Sequence, residues 1–309
     1  MSPPGASDLS VVIPTRRRWE TLRRTLAALD AQTEQGFETI VVADGTDQEV
    51  PDLPGVRVLR QEHAGPGVAR NRGVGASERT LVLFIGDDMI PRPDLVARHV
   101  AVHRAEPAPE AGALGRIVWH PDVARNRLHR WLDWSCALFD YRQLDGQDGS
   151  DVGWPRFYSS NVSLKRELFV AAGGFDPDFV FDYEDLDFGW RLGQHGLRLL
   201  YEPGAVVQHL HPYDWPAVER RYVSRAGAER LMAAKHDWFE PWFRAQIEGA
   251  ARERRASRLW TVLADLTPPR PARVRQAVER RANRHYLQRL APAFRDAWER
   301  AALQPSTRR

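Results

Sequence analysis

The sequence predicts an α/β protein: a doubly wound, mostly parallel sheet flanked by helices, with a helical C-terminal extension. Three observations carry that expectation. Short runs rich in β-branched residues, each bounded by turn formers, recur through the first hundred residues. Amphipathic stretches separate them, and strand–helix alternation at this spacing is the pattern of parallel strands joined by right-handed crossovers. From residue 216 onward helical patterns dominate.

Taken in order, LSVVIP (9–14) and TIVVAD (39–44) read as buried parallel strands. Between them Trp19, Leu22, Leu26 and Leu29 recur at helical spacing. VRVLRQ (56–61) is a third strand, followed by a helix through VARNRGVGA (68–76). LVLFIG (81–86) is a fourth, and PDLVARHVAVHRA (93–105) is a helix with Pro93 suited to its first turn. After Gly112 the rhythm changes. ALGRIVWH (113–120) is another strand, and 121–156 reads as irregular. ELFVAAGGF and DLDFGWRLGQHG read as helices ending at glycines, and LRLLYEP and AVVQHLH as short strands. Pro268, Pro269 and Pro271 break the C-terminal helical pattern, after which Val274, Val278, Leu290, Phe294 and Trp298 form a last apolar face.

The 309 residues suffice for one large domain with an appendage, and 43% hydrophobic with 28% charged residues is a soluble globular composition. A single cysteine, Cys136, excludes an internal disulfide and fits a reducing compartment. No apolar run approaches the roughly 20 residues of a membrane helix, and MSPPGASDLS lacks a signal-peptide core. A cytoplasmic protein is the expectation. The net charge of +3 hides an asymmetry: residues 236–309 carry sixteen arginines against eight acids. Such a tail suits phosphate, lipid or nucleic acid, or is simply a solvated helical face.

Ligands of open α/β sheets bind outside the carboxyl ends of the strands. Three strands here end there in polar residues: Pro14-Thr15-Arg16, Asp44-Gly45-Thr46 and Gly86-Asp87-Asp88. VVIPTRRR has no glycine, and HAGPGVARNRG lacks the GxGxxG spacing, so both glycine-rich phosphate loops are disfavoured. Asp87 and Asp88 suit a hard cation shared with a ligand diphosphate, or cap the helix that follows. Glu184, Asp185 and Asp187 in FDYEDLDFGWR supply a general base, or favour the dipole of a helix start. His209 and His211 alternate along a strand, so only one is expected to face the crevice, where an imidazole can complete an octahedral site. Four tryptophans between 119 and 154 stack on sugar rings or pack.

The ordered series VVIPTRRRWETLRRTLAAL, VVADGTDQ, GPGVARNRGV, LFIGDDMIP, NVSLKRELFVAAGGFD and YEDLDFGWRLGQHGLRLLYEPGAVVQH resembles the family 2 glycosyltransferases over roughly residues 9–235. The resemblance implies a GT-A catalytic domain over 1–235, with 236–309 a helical basic extension. It implies an inverting enzyme that moves a sugar from a nucleotide-diphosphate donor to an acceptor hydroxyl with Mn²⁺ or Mg²⁺. Thr15 and Asp44 match positions that contact the base, Arg70 an arginine near the nucleotide, and Asp87 the ribose side. Asp88 and His209 match metal ligands, and Asp185, in the Glu184-Asp185 pair, matches the catalytic base. One departure is Gly86, where the family often has a first acid. The implied partners are a nucleotide-sugar donor and a carbohydrate, lipid-linked or other hydroxyl acceptor, without nucleic acid. The extension could add packing, a homodimer contact or peripheral contact at the inner membrane face. A sugar-phosphate nucleotidyltransferase, or a non-catalytic nucleotide-sugar binder of the same fold, is the alternative.

Overall fold

The computed structural model describes residues 3–47, 49–141, 143–266 and 272–303, so Pro268, Pro269 and Pro271 lie outside the described residues. An eight-stranded mixed sheet is its frame. In chain order the strands are β1 (Leu9–Thr15), β2 (Glu38–Asp44), β3 (Arg57–Gln61), β4 (Leu81–Ile85), β5 (Met89–Pro91), β6 (Ala111–Trp119), β7 (Asn161–Lys165) and β8 (Arg198–His209). Across the sheet they run β3-β2-β1-β4-β7-β6-β8-β5. The first four in that order are parallel. β7 is antiparallel to both β4 and β6, and β6 and β8 are parallel to each other.

Every residue of β1 and β4 is buried. Strands covered on both faces read as continuous apolar runs, which is why these two stand out in the sequence. Helices α1 (Trp19–Asp30), α2 (Pro66–Ala76) and α3 (Leu95–Ala105) join the first strands. Asp94 occupies the N-cap position of α3, so Pro93 precedes the helix rather than sitting in its first turn. LRLLYEP and AVVQHLH do not form two strands. They are one strand, β8, whose pairing with β6 skips from Glu202 to Val206 between Gly115 and Arg116. Pro203 and Gly204 fall inside that bulge, where a missing ladder donor is tolerated.

The stretch expected to be irregular contains α4 (Arg127–Ser135), capped by Asn126, whose side-chain oxygen accepts from the N–H groups of Leu128 and His129. Beyond β7, α5 (Arg166–Ala171) leads to Gly173 and Gly174, both at positive φ. The next helix is α6 (Glu184–Gln194). Its Phe188 packs against Phe175 (centroids 4.6 Å apart), Phe169 (5.0 Å) and Phe157 (5.4 Å), and Phe84 of β4 meets Phe169 at 5.7 Å. Each buried ring contributes on the order of 2–3 kcal/mol, and together they fix the start of α6 relative to the sheet.

The chain divides into two compact units, Met1–Val123 with Tyr141–His211, and Ala124–Asp140 with Pro212–Arg309. The division falls at residues 211/212 rather than 235, because α7 (Trp215–Lys235) packs extensively on α10 (Ala272–Leu303). The second unit also holds α4, α8 (Trp242–Arg252) and α9 (Leu259–Asp265). In its interior Trp131 stacks near Tyr222 and Tyr286 and donates its indole N–H to Asn283 at 2.8 Å. Buried Glu229 accepts from the N–H groups of Phe243 and Arg244 at the start of α8.

Candidate functional site

Parallel registers bring the sequence-predicted strand ends to one edge of the sheet. Thr15 ends β1 opposite Ala43, one residue before Asp44, and β4 continues past Ile85 into Gly86-Asp87-Asp88. Ile85 pairs with Asn161, so the segment entering β7 lies at the same edge. Thr15 donates its hydroxyl to Asp87 Oδ2 at 2.8 Å, and Thr25 of α1 donates to the Asp87 carbonyl at 2.9 Å. Neither aspartate caps α3, whose N-cap residue is Asp94. Arg18, which no sequence motif singled out, pairs with Asp88 and approaches Asp87 at 3.3 Å. A Cβ on Gly86 would stand 3.1 Å from Asp88 Oδ1 and 3.2 Å from the Met89 side chain. A first acid at Gly86 would therefore press on the carboxylate that matters most.

That carboxylate is the hub of a three-residue cluster. His209 Nε2 and His211 Nδ1 each lie 3.3 Å from Asp88 Oδ2. The three ligating atoms fall within 4.8 Å of one another, the one such group among the described residues. The expectation that only one histidine faces the crevice is overturned. Side-chain alternation holds along a strand, and β8 ends at His209; two residues further on the chain has left the sheet, and His211 lies nearly parallel to the His209 ring at 5.7 Å. Trp119 backs His209 from a stacked position at 5.1 Å, one of the four tryptophans packing rather than open to a sugar.

The two acids titrate apart. Burial is the largest influence on both and favours the protonated form. At Asp88 it is outweighed by His209, His211 and Arg18, which hold the carboxyl well below its usual range. At Asp87 burial and the neighbouring Asp88 charge prevail over Arg18 and Thr15, raising it to about 6. One carboxylate and two imidazoles converging at a buried point form a mixed oxygen–nitrogen donor set, which fits Mn²⁺ more closely than the all-oxygen preference of Mg²⁺.

Asp44 is spent on its own loop. Its carboxylate, 4% exposed, accepts from Gln61 Nε2 (2.9 Å), Ala64 N–H (2.8 Å) and Gly65 N–H (3.0 Å), with His63 Nδ1 at 2.8 Å. This clamps the turn that delivers α2. Gly65 sits at φ +95°, and a Cβ there would come within 2.1 Å of the Val180 carbonyl oxygen. On α2, Arg70 is buried over the Phe175 ring (5.5 Å) with Nη1 3.8 Å from Glu184. Its Nε and Nη1 have no hydrogen-bond partner among the described residues.

A second acidic cluster opens α6. Asp182 (φ 62°) and Tyr183 (φ 68°) adopt left-handed backbone conformations just before Glu184, a strained entry for two non-glycine residues. Asp187 faces away from this cluster, paired with Arg191, which also donates to the carbonyls of Ala172 and Gly174. Glu184 is buried and pushed up to about 8, by burial first and the Asp185 charge next, against the pull of Arg70. Asp185 is also raised by burial, opposed by Arg70 and by Ser159, through its side chain and through its backbone N–H, which donates to Asp185 Oδ2 at 3.0 Å. The other carboxylate oxygen of Asp185, Oδ1, is buried and has no hydrogen-bond partner among the described residues. Ser159 stands two residues before the Asn161 that pairs with Ile85, so Asp185 is held at the edge that carries Asp87 and Asp88.

Comparison with known proteins places the chain in a family. The profile described as Glycosyl transferase family 2 matches residues 10–169, and the chain is 32% identical over 98% of its length to a pre-mycofactocin glycosyltransferase of Mycobacterium tuberculosis. The chain belongs to glycosyl transferase family 2. It spans 64% of that relative and 54% of a validoxylamine A glucosyltransferase of Streptomyces hygroscopicus, to which it is 31% identical over 63% of its own length. Among solved structures, S. aureus TarS 1-349 superposes with a TM-score of 0.55 at 16% identity, covering 97% of this chain and 93% of that one. The mannosyltransferase PcManGT from Pyrobaculum calidifontis, solved with GDP-Man and Mn²⁺, superposes with a TM-score of 0.52 at 16% identity, over 97% of this chain and 76% of that one. The GT-A architecture of the family 2 glycosyltransferases is the fold of this chain. The candidate residues fall in two clusters, Thr15-Arg18-Asp87-Asp88-His209-His211 and Arg70-Glu184-Asp185, with Asp44 supporting the loop that leads to Arg70.

Proposed function

We propose that the protein is an inverting glycosyltransferase that moves a sugar from a nucleotide-diphosphate donor onto an acceptor hydroxyl. The observation that carries this reading is the unpartnered, buried Oδ1 of Asp185 at the sheet edge that bears the Asp87–Asp88 pair. A buried carboxylate oxygen lacking a donor favours any hydroxyl that can supply one. An acceptor O–H directed at Oδ1 makes that bond and gives its proton to the carboxylate as the oxygen attacks the anomeric carbon. The Ser159 N–H on Oδ2 fixes the carboxylate orientation during the transfer. Burial keeps the neighbouring Glu184 protonated at neutral pH, so the pair presents one charge rather than two.

At the other cluster Asp88, His209 and His211 would hold a divalent cation, and Mn²⁺ is the ion present with GDP-Man in the PcManGT structure. When bound, such a cation supplies positive charge to the departing diphosphate. The chain itself contributes Arg18, a half-exposed guanidinium at the acid pair, as a further cation for that diphosphate. Thr15 holds Asp87 in place through its hydroxyl, on the side assigned to the ribose. Arg70, buried beside Glu184 with two unpaired donors, has the planar fork that suits a nucleotide phosphate or base. The relatives named as glycosyltransferases support transfer over nucleotidyl chemistry, as does the absence of glycine from the loop after β1.

Asp185→Asn tests the reading. Transfer should fall roughly 10²-fold or more while donor affinity stays near that of the parent. Transfer at the parental rate would remove Asp185 as the base.

A further inference from the structure

Two basic C-terminal residues that the site above does not use, Arg258 and Arg289, meet three arginines of the Arg125–Arg130 stretch in one place. The second compact unit contains a cavity of about 560 Å³, bounded by the starts of α4 and α7 and by α9 and α10. Five arginines line it against two aspartates. Both aspartates are committed. Asp265 is engaged by Arg127, whose Nε donates at 2.9 Å, and by Arg130. Asp214 caps α7, accepting from the Ala217 N–H at 2.7 Å. Arg125 is paired with Asp133.

Two cavity arginines are left without a carboxylate among the described residues, Arg258 and Arg289, both exposed. Arg289 is nonetheless held in place, its guanidinium 3.8 Å from the centroid of the Trp215 ring. Stacking of this kind orients the cation and leaves its N–H edge open. Trp215 in turn lies nearly parallel to buried Tyr286 at 6.1 Å, so the cavity combines open guanidinium donors with a flat aromatic wall. Its size lies within the roughly 300–1,000 Å³ typical of small-molecule sites.

We propose that this cavity is a binding site for a phosphate ester, with Arg258 and Arg289 on the phosphate and the body of the ligand against Trp215 and Tyr286. Guanidinium forks bind phosphate oxygens in bidentate fashion, which a scattered basic surface does not achieve. The inference does not depend on the transferase reading, since the cavity is built within the second unit alone. A phosphate ester reaches it either as a soluble small molecule or as a lipid headgroup.

The test is calorimetric titration of the full chain with inorganic pyrophosphate in EDTA, where the Asp87–Asp88 pair, lacking a cation, repels the anion. Sedimentation with phosphatidylcholine vesicles, with and without phosphatidylglycerol, forms the second arm. Arg258→Ala/Arg289→Ala should weaken the observed binding at least about tenfold, with a melting temperature lowered by no more than the loss of the exposed Arg289–Trp215 stacking allows. Arg252→Ala, which removes an exposed charge outside the cavity, should bind like the parent. Pyrophosphate binding lost in the double variant assigns a soluble phosphate ester, and loss confined to phosphatidylglycerol vesicles assigns a headgroup. Absence of both in the parent overturns the proposal, as does equal binding by the double variant or an equal loss in Arg252→Ala.

Discussion

Glu184→Gln probes the electrostatics on which the assignment of Asp185 rests. Glu184 is buried, its carboxyl raised from 4.5 to about 8 by burial and by the Asp185 charge, with Arg70 opposing at 3.8 Å. Between those two values the folded protein keeps a proton that the unfolded chain has released. The contribution of Glu184 to stability is therefore full below about pH 4.5 and is lost as the pH rises toward about 8. One proton of difference gives a slope of at most about 1.4 kcal/mol per pH unit. The amide in Glu184→Gln cannot ionise and has nearly the shape of the protonated acid, so the variant escapes the decline. Urea denaturation of both proteins across this range should give similar stabilities at pH 5. By pH 7.5 the variant should be ahead by on the order of 2–3 kcal/mol. Taking the difference between the two cancels much of the contribution of other titrating groups, including Asp87, whose raised carboxyl acts in the same direction. A difference that does not change with pH, or a parent more stable at high pH, would mean that Glu184 is ionised and paired with Arg70. The division of labour within the acidic pair would then fall. Glu184→Gln should also retain far more transfer than Asp185→Asn.

Two further expectations follow from particular contacts. His211→Ala removes one of three converging ligand atoms, so Mn²⁺ affinity measured by calorimetry should fall by at least the roughly 10–100-fold that loss of an outer-shell partner costs; unchanged affinity would exclude His211 as a ligand. Gly65→Ala introduces a Cβ 2.1 Å from the Val180 carbonyl at a φ of +95°, and should cost at least about 2 kcal/mol, read as a lowered melting temperature. A melting temperature equal to the parent's would show that the loop into α2 is not held as tightly as Asp44 and Val180 imply.

Much of the first unit was legible because its strands are buried on both faces and so announce themselves as apolar runs. β1 and β4 are buried throughout, and the polar residues that end them stand at one edge because parallel registers align those ends. What escaped the sequence depended on contacts between distant positions or on the limits of a local rule. Alternation predicts which way a strand side chain points, but His211 lies just past the end of β8, where the rule no longer applies. Arg18 sits among three consecutive arginines, and only the fold shows which of them reaches Asp87 and Asp88. Ser159 carried no signal in the sequence; only the fold brings its backbone N–H to Asp185 Oδ2. The helix α4 was hidden in a stretch of mixed Trp, Asp and Arg, where the Asn126 cap was the one available cue. Gly86 was readable only as a departure from a pattern; its closeness to Asp88 Oδ1 supplies the steric reason.

The most direct measurement is a thermal-shift and calorimetric panel of nucleotide-sugars against the parent and Asp88→Ala, with Mn²⁺ and with EDTA. The account predicts that one donor class stabilises the parent, that the effect requires Mn²⁺, and that Asp88→Ala abolishes it. Equal stabilisation in EDTA, or in Asp88→Ala, would contradict a metal-assisted donor site at Asp88, His209 and His211.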